Sequence, residues 1–355
     1  MTTLRMAVVG TGALGRHHAR ILSEMPGVEL VAVADMNPRA AAETAQRCQT
    51  HRCQTRSTGD YRELLGTVQA VVVAVPTSAH RQVAGDFLAA GADCLVEKPI
   101  AIDFDEAQEL VDLARRHEVL LQVGHVERFS PALTAARPFL HNPKYIRIER
   151  FGPFSFRSTD IGVVHDLMIH DIDLVLDLVK VPVADVQALG TSILGEREDC
   201  AQARLTFSNG AVADLAANRV SPVVRRQMQV WGPDGCVQID LAAREVVHYR
   251  RSSVLQFGEG PLARARQAGA DIEQLKSEVF GTFIEVHKPT VTSCDQLTEE
   301  LRAFTHCVQT RQQPLVTGEA ALEAMLIARR ILDKIAAAPW ARPVAGSIAA
   351  RRLAG

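Results

Sequence analysis

The chain has no charge excess: 39 lysines and arginines stand against 41 aspartates and glutamates over 355 residues, a formal net charge of -2. Whole-chain electrostatics therefore gives no reason to expect nucleic acid or an anionic membrane as partner. It has no apolar run approaching the roughly 18 residues of a bilayer-spanning helix. The first strand candidate begins within a few residues of Met1, which leaves no room for a signal peptide and gives a cytoplasmic expectation. The 7 cysteines are odd in number and contain no C-x-x-C, as in a reducing compartment. Cys48 and Cys53 flank His51, but without a second ligand pair they read as an ordinary connection, and no metal is expected. There is no internal repeat. What is present is ordinary globular composition, 47% hydrophobic and 23% charged, at a length that suggests two domains.

The most informative stretch is Met6-Ala-Val-Val-Gly10-Thr-Gly12-Ala13-Leu14-Gly15. A short apolar strand passes into G-x-G-x-x-G and then into a helix-compatible segment from Arg16 to Leu22. A second strand candidate, Val28 to Ala34, ends at Asp35, twenty residues past Gly15. This is the layout of a dinucleotide-binding βαβ unit. Gly10 permits the tight turn, Gly12 permits close approach of a pyrophosphate, and Gly15 permits helix–strand packing. The phosphates would meet free N–H groups and the positive end of the helix dipole. Asp35 stands where a carboxylate accepts hydrogen bonds from ribose hydroxyls. It favours NAD over NADP, since it repels a 2′-phosphate, and Arg39 keeps NADP as the lesser alternative.

Strand candidates Met6–Val9, Val28–Ala34, Ala70–Val75, Asp93–Val96 and Leu120–Val123 alternate with helical patterns at Pro38–Arg47, Ala79–Ala90 and Asp103–His117. Such alternation predicts a doubly wound parallel sheet with its ligand at the carboxyl ends of the strands. After Gly124 a helical stretch around His165–Leu178 is followed by strand candidates in succession: Val183–Leu194, Ala201–Phe207, Ala211–Asn218, Arg225–Trp231 and Val237–Asp240. Tight turns separate them, which predicts a large, mostly antiparallel open sheet. Residues 252–288 read as an irregular or helical insertion. Helices Leu297–Thr310 and Glu319–Ile335 close the fold. The expected organisation is a Rossmann domain at 1–125, a second α/β domain at 126–335 for substrate binding and oligomerisation, and a loosely ordered tail at 336–355.

Strand Asp93–Val96 ends in Glu97-Lys98-Pro99. A half-buried lysine at the end of a central parallel strand can donate to a reacting oxygen or carry a proton, and Pro99 fixes its approach. A surface lysine at a strand end is the competing reading. Asp166 and His170 are spaced i, i+4 in an apolar helical segment that also carries His165, Asp171 and Asp173. A carboxylate beside an imidazole makes a general base; a metal site or a structural polar network are the alternatives. His125, Arg128 and Phe129 follow the last parallel strand, and Arg157 and Arg219 lie in the second domain. The arginines are candidates for an anionic substrate, each weighed against an ordinary structural role.

In order, Gly10-Thr-Gly12-Ala-Leu-Gly15-Arg-His, Ala74-Val75-Pro76-Thr77 with His80, Glu97-Lys98-Pro99 and Asp166-x-x-x-His170 resemble the glucose–fructose oxidoreductase / inositol dehydrogenase / rhizopine catabolism family from about residue 5 to residue 335. The resemblance implies an NAD(P)-dependent oxidoreductase acting on CH–OH groups, with a C-terminal α/β domain whose open sheet often forms the oligomer contact, in a homodimer or homotetramer. It places Lys98, Asp166 and His170 in catalysis, Pro76, Thr77 and His80 beside the nicotinamide, and Val75, Glu97, Lys98 and Pro99 with them among the cofactor-binding residues. The stretches 123–131, 166–174 and 218–222 look most like members that oxidise nucleotide sugars, which implies UDP-N-acetylglucosamine oxidised at C3 for amino-sugar synthesis in lipid A or O-antigen. A dehydrogenase of a free sugar or inositol, and a non-catalytic sugar sensor on the same fold, are the rivals.

Overall fold

The computed structural model describes residues 3–50, 53–156 and 161–338. The chain opens with β1 (Leu4–Val9), α1 (Gly15–Glu24), β2 (Val28–Ala34), α2 (Pro38–Arg47), β3 (Arg56–Thr58), β4 (Ala70–Val73), α3 (His80–Ala89), β5 (Asp93–Glu97), α4 (Phe104–Arg116) and β6 (Leu121–Gly124). The six strands form one sheet of order β3-β2-β1-β4-β5-β6, parallel throughout. Every residue of β4, β5 and β6 is buried, which is why these runs are apolar without alternation. Asp103 caps α4 by accepting from the Glu106 N–H at 2.9 Å.

The second half runs α5 (Pro131–Ala136), β7 (Tyr145–Phe151), α6 (Ile169–Val179), β8 (Val183–Thr191), β9 (Cys200–Phe207), β10 (Val212–Asn218), β11 (Arg225–Gly232), β12 (Gly235–Asp240) and β13 (Glu245–Arg251). Three short helices follow, α7 (Ser253–Phe257), α8 (Pro261–Ala265) and α9 (Ile272–Glu278), then the edge strand β14 (Ile284–His287). This sheet has the order β14-β13-β12-β11-β7-β10-β9-β8 and a single parallel pairing, β7 with β10. Along β9 and β10 burial alternates, with Ala201, Ala203, Leu205, Phe207, Ala213, Leu215 and Ala217 inward. The other face is polar: Asp214 accepts from Arg204 at 2.7 Å and from the Tyr145 hydroxyl at 2.9 Å. The insertion expected at 252–288 is these three helices and the edge strand.

The chain closes with α10 (Gln296–Thr310) and α11 (Gly318–Ala337). Two compact units result, one of residues up to Ser130 together with Cys294–Arg329, the other of Pro131–Ser293 with the chain from Arg330. The boundaries expected from the sequence were 125/126 and 335. Helix α10 belongs to the first unit because Leu301, Phe304, Cys307 and Val308 pack with Leu4, Met6, Val8 and Leu22 in one apolar core. The turn Val126–Phe129 packs on the same helix. Most of the segment expected as a tail, 339–355, lies outside the described residues, as does His51. Among the described residues no helix is long and apolar enough to cross a membrane.

Phe304 is fully buried in that core, so Phe304→Ala should lower the unfolding free energy by about 3–5 kcal/mol. Urea denaturation followed by circular dichroism checks this; a loss under about 1 kcal/mol would show that α10 does not complete the first unit's core.

Candidate active site

The loop between β1 and α1 is shaped by two contacts that only glycine allows. Gly10 has φ +90°, and a Cβ on it would lie 2.5 Å from the Ala74 carbonyl oxygen. A Cβ on Gly15 would lie 1.8 Å from the Gly10 carbonyl oxygen. Gly12 is different: no protein atom lies within 4 Å of where its Cβ would sit, so nothing in the chain itself requires glycine there. Helix α1 starts after Leu14 with no side-chain cap; the N–H groups of Arg16, His17 and His18 already bond to the carbonyls of Gly12 and Leu14, so what the helix start offers an anion is chiefly its dipole. The Asp35 carboxylate is fixed to this loop, accepting from Thr11 N at 2.7 Å, Thr11 Oγ1 at 2.9 Å and Asn37 N at 2.8 Å. Arg39 is exposed and pairs with Glu43 at 3.0 Å. Gly10, Gly12, Ala13, Leu14, Gly15 and Asp35 are thus brought together as a cradle that fits a dinucleotide.

Two further loops leave the same sheet at the carboxyl ends of β4 and β5. His80 joins them: it is buried, with Nε2 2.9 Å from the Val75 carbonyl oxygen and Nδ1 2.9 Å from that of Pro99. Burial lowers the pKa of this imidazole, and the two carbonyls oppose that shift. The Val75-Pro76-Thr77 turn and the Lys98-Pro99 turn, whose peptide bond is cis, are therefore positioned together. Lys98 is the first residue after β5 and half-buried. The carboxylate of Glu97, a residue expected at the cofactor, lies 2.6 Å from His18 Nε2.

In the second unit Asp166 and His170 lie in adjoining elements rather than in one regular helix. Asp166 sits in a π-helical turn, Val164–Met168, and His170 in the first turn of α6. Four residues fall just short of a revolution in the wider turn, where they would pass it in an α-helix, so both remain on one side. Glu198 caps this widened start: its backbone oxygen accepts from Val163 N at 2.8 Å and its carboxylate from Val164 N at 3.1 Å. A Cβ on Gly162 would overlap that carboxylate. Such wide turns often accompany functional sites.

The other ionisable groups of this segment are balanced. Asp171 is fully buried and paired with the buried Arg150 of β7 at 2.7 and 2.9 Å. Asp199 accepts from Arg219 at 2.8 Å and from Ile193 and Leu194 N–H at 2.7 Å. Burial would raise the Asp199 pKa, but the two N–H donors and the guanidinium bring it net below the usual value. Arg219, expected to hold substrate, thus serves the wall of the site: it also donates to the Ile161 carbonyl at 2.8 Å and lies over the Phe154 ring. A cavity of about 240 Å³ is lined by Asp166, Leu167, Phe154, Arg150, Arg219 and Arg226.

His125, Arg128 and Phe129 are buried in the first unit; Arg157 lies outside the described residues. Sequence reasoning missed His18, Arg150, Glu198 and Asp199, whose partners are distant in the chain. Among the described residues no group of three or more His, Cys, Asp or Glu could hold a metal.

Residues 4–125 match the oxidoreductase family with an NAD-binding Rossmann fold, and residues 141–238 match the GFO/IDH/MocA C-terminal domain. The UDP-N-acetylglucosamine 3-dehydrogenase of Acidithiobacillus ferrooxidans is 37% identical over 83% of this chain and 92% of its own length. Its solved structure superposes with a TM-score of 0.80, 30% identity and coverage of 94% of this chain and 98% of that one. A levoglucosan dehydrogenase solved with NADH has the same fold at TM-score 0.78 and 18% identity, covering 94% and 97% of the two chains.

Two predictions follow from the geometry. Gly12→Ala should leave the thermal midpoint within about 2 °C while raising the Kd for NAD about tenfold or more, about 1.4 kcal/mol. Fluorescence titration reads this, and unchanged affinity would remove Gly12 from the cradle. Asp199→Asn should destabilise by about 3 kcal/mol at neutral pH by leaving Arg219 buried without its anion. Because the folded Asp199 pKa is depressed, the wild-type advantage exists above about 3.9 and is lost as pH falls through the folded value. A wild-type-to-variant gap that stayed constant into strong acid would contradict the pairing.

Proposed function

We propose, from the premise that the chain belongs to the GFO/IDH/MocA family and is an NAD-dependent oxidoreductase, that it oxidises the C3 hydroxyl of UDP-N-acetylglucosamine to a ketone. The carrying observation is the relative of that name, which matches 83% of this chain. NAD, when bound, supplies the acceptor for the hydride. The chain's own residues do the rest. The glycine loop and the start of α1 hold the pyrophosphate, and Asp35 accepts from the ribose hydroxyls. His170 takes the hydroxyl proton, Asp166 orients and charges the imidazole, and Lys98 donates to the oxygen as its carbonyl forms. Such fixed donors stabilise the transition state more than the ground state. Arg226 in the cavity beside Asp166 is the arginine we assign to the anionic part of the substrate. The 3-keto product has the chemistry required by a following amination, in lipid A or O-antigen synthesis. The polar face of the second sheet is the surface we assign to self-association.

Purified protein with NAD should form NADH with UDP-N-acetylglucosamine and not with free N-acetylglucosamine or myo-inositol. Lys98→Met and His170→Ala should each lower kcat/KM by about 10²–10⁴ with the Kd for NAD held within about threefold. Reduction with a free sugar alone would overturn the substrate; lost NAD affinity in either variant would overturn the roles.

A further inference from the structure

Asp35, just past β2, is held by the protein itself through hydrogen bonds to both carboxylate oxygens. Thr11, buried in the glycine loop, directs two donors at Oδ2: its backbone N–H at 2.7 Å and its hydroxyl at 2.9 Å. The threonine side chain is branched at Cβ, so its hydroxyl has few positions to choose from. The other oxygen, Oδ1, accepts from Asn37 N at 2.8 Å. Asp35 N in turn donates to the Thr58 carbonyl at 3.1 Å, which fixes the backbone of the residue as well. Asn37 is itself occupied: its side-chain oxygen accepts from Arg39 N at 3.1 Å and Ala40 N at 3.3 Å, and its carbonyl from Ala41 N at 3.1 Å. Pro38, at the first position of α2, has no N–H to give. The start of α2 therefore has no backbone donor left over for an anion.

We infer that Thr11 is a positioning residue for the choice between NAD and NADP: its hydroxyl keeps the Asp35 carboxylate from turning out of the way of a 2′-phosphate, and the capped start of α2 denies that phosphate a donor. This rests on the reading of Asp35 as the partner of the ribose hydroxyls. An acid alone would not be enough. An untethered aspartate has other staggered rotamers open to it, and repulsion by a phosphate is a reason to adopt one of them. A carboxylate tied at both oxygens must break a charge-assisted hydrogen bond to do so. The neighbouring cation does not decide the matter. Arg39 pairs with Glu43 at 3.0 Å, but both are exposed, and such a pair is too weak to withhold the guanidinium from a phosphate. Discrimination thus lies with Asp35 and with what holds it.

Fluorescence titration of the purified chain with NADH and with NADPH gives two dissociation constants and their ratio. Thr11→Val keeps the shape of the side chain and the backbone bond, and removes only the hydroxyl. It should bring the two constants at least about tenfold closer together. Thr11→Ser restores the donor and should return the ratio to within about threefold of the wild type. A role in loop packing alone would weaken both cofactors by one factor. An unchanged ratio in Thr11→Val, or a ratio in Thr11→Ser as narrow as in Thr11→Val, therefore overturns the proposal. If Thr11→Val does not fold, hydrogen exchange on the wild type without cofactor decides. The Thr11 and Asn37 amides should exchange at least about a hundredfold more slowly than in an open chain, and exchange at the open-chain rate would mean that no clamp exists. Failure of the ribose reading would appear separately, as Asp35→Ala binding NADH as tightly as the wild type.

Discussion

The approach of Gly15 to the Gly10 carbonyl is the constraint from which the first unit is built. No side chain fits there, and because none is present the start of α1 can pack against the glycine loop. Thr11, between the two, then reaches Asp35 with both backbone and hydroxyl, tying the phosphate end of the cradle to its ribose end. His80 continues the same device across the sheet, holding the turns after β4 and β5 through two backbone carbonyls. Lys98 is thereby positioned by backbone contacts, which vary less than side-chain packing would.

The second unit solves a different problem, holding Asp166, His170 and Asp171 in an apolar helical segment. Its answer is buried ion pairs: Arg150 reaches across from β7 to Asp171, and Arg219 at the end of β10 reaches Asp199. Neither pair adds much net stability over an apolar substitute, because desolvation consumes most of the Coulomb gain. What each gives is a fixed orientation, since removing one partner strands the other. Asp166 and Arg219 line one cavity as a result.

Much of this was legible in the sequence. β1, β2, β4, β5 and β6, with α2 and α4, are found where apolar runs and helical patterns predicted them, because local signals suffice where strands are buried on both faces. Strand β7 escaped notice because Arg150 occupies an inward position that pattern reading expects to be apolar; its partner Asp171 lies 21 residues on. β3 is three polar residues long and carries almost no signal. Helix α10 was recognised, but not its packing with β1 and α1, since periodicity tells which side of a helix is apolar and not which sheet covers it. Lys98, Asp166, His170 and the glycines were singled out from spacing as candidates for the site. The pairing of Glu97 with His18 was not legible, because nothing local announces a partner 79 residues earlier.

The reading of the chain as an enzyme of a specific carbon rests on where the hydride comes from. Incubating stoichiometric protein and NAD with UDP-N-acetylglucosamine deuterated at C3, and weighing the reduced nicotinamide by mass spectrometry, tests it most directly. The account predicts that the NADH carries the deuterium and that its formation is slower than with unlabelled sugar. NADH formed at the unlabelled rate and without the label would contradict it, placing the chemistry at another carbon.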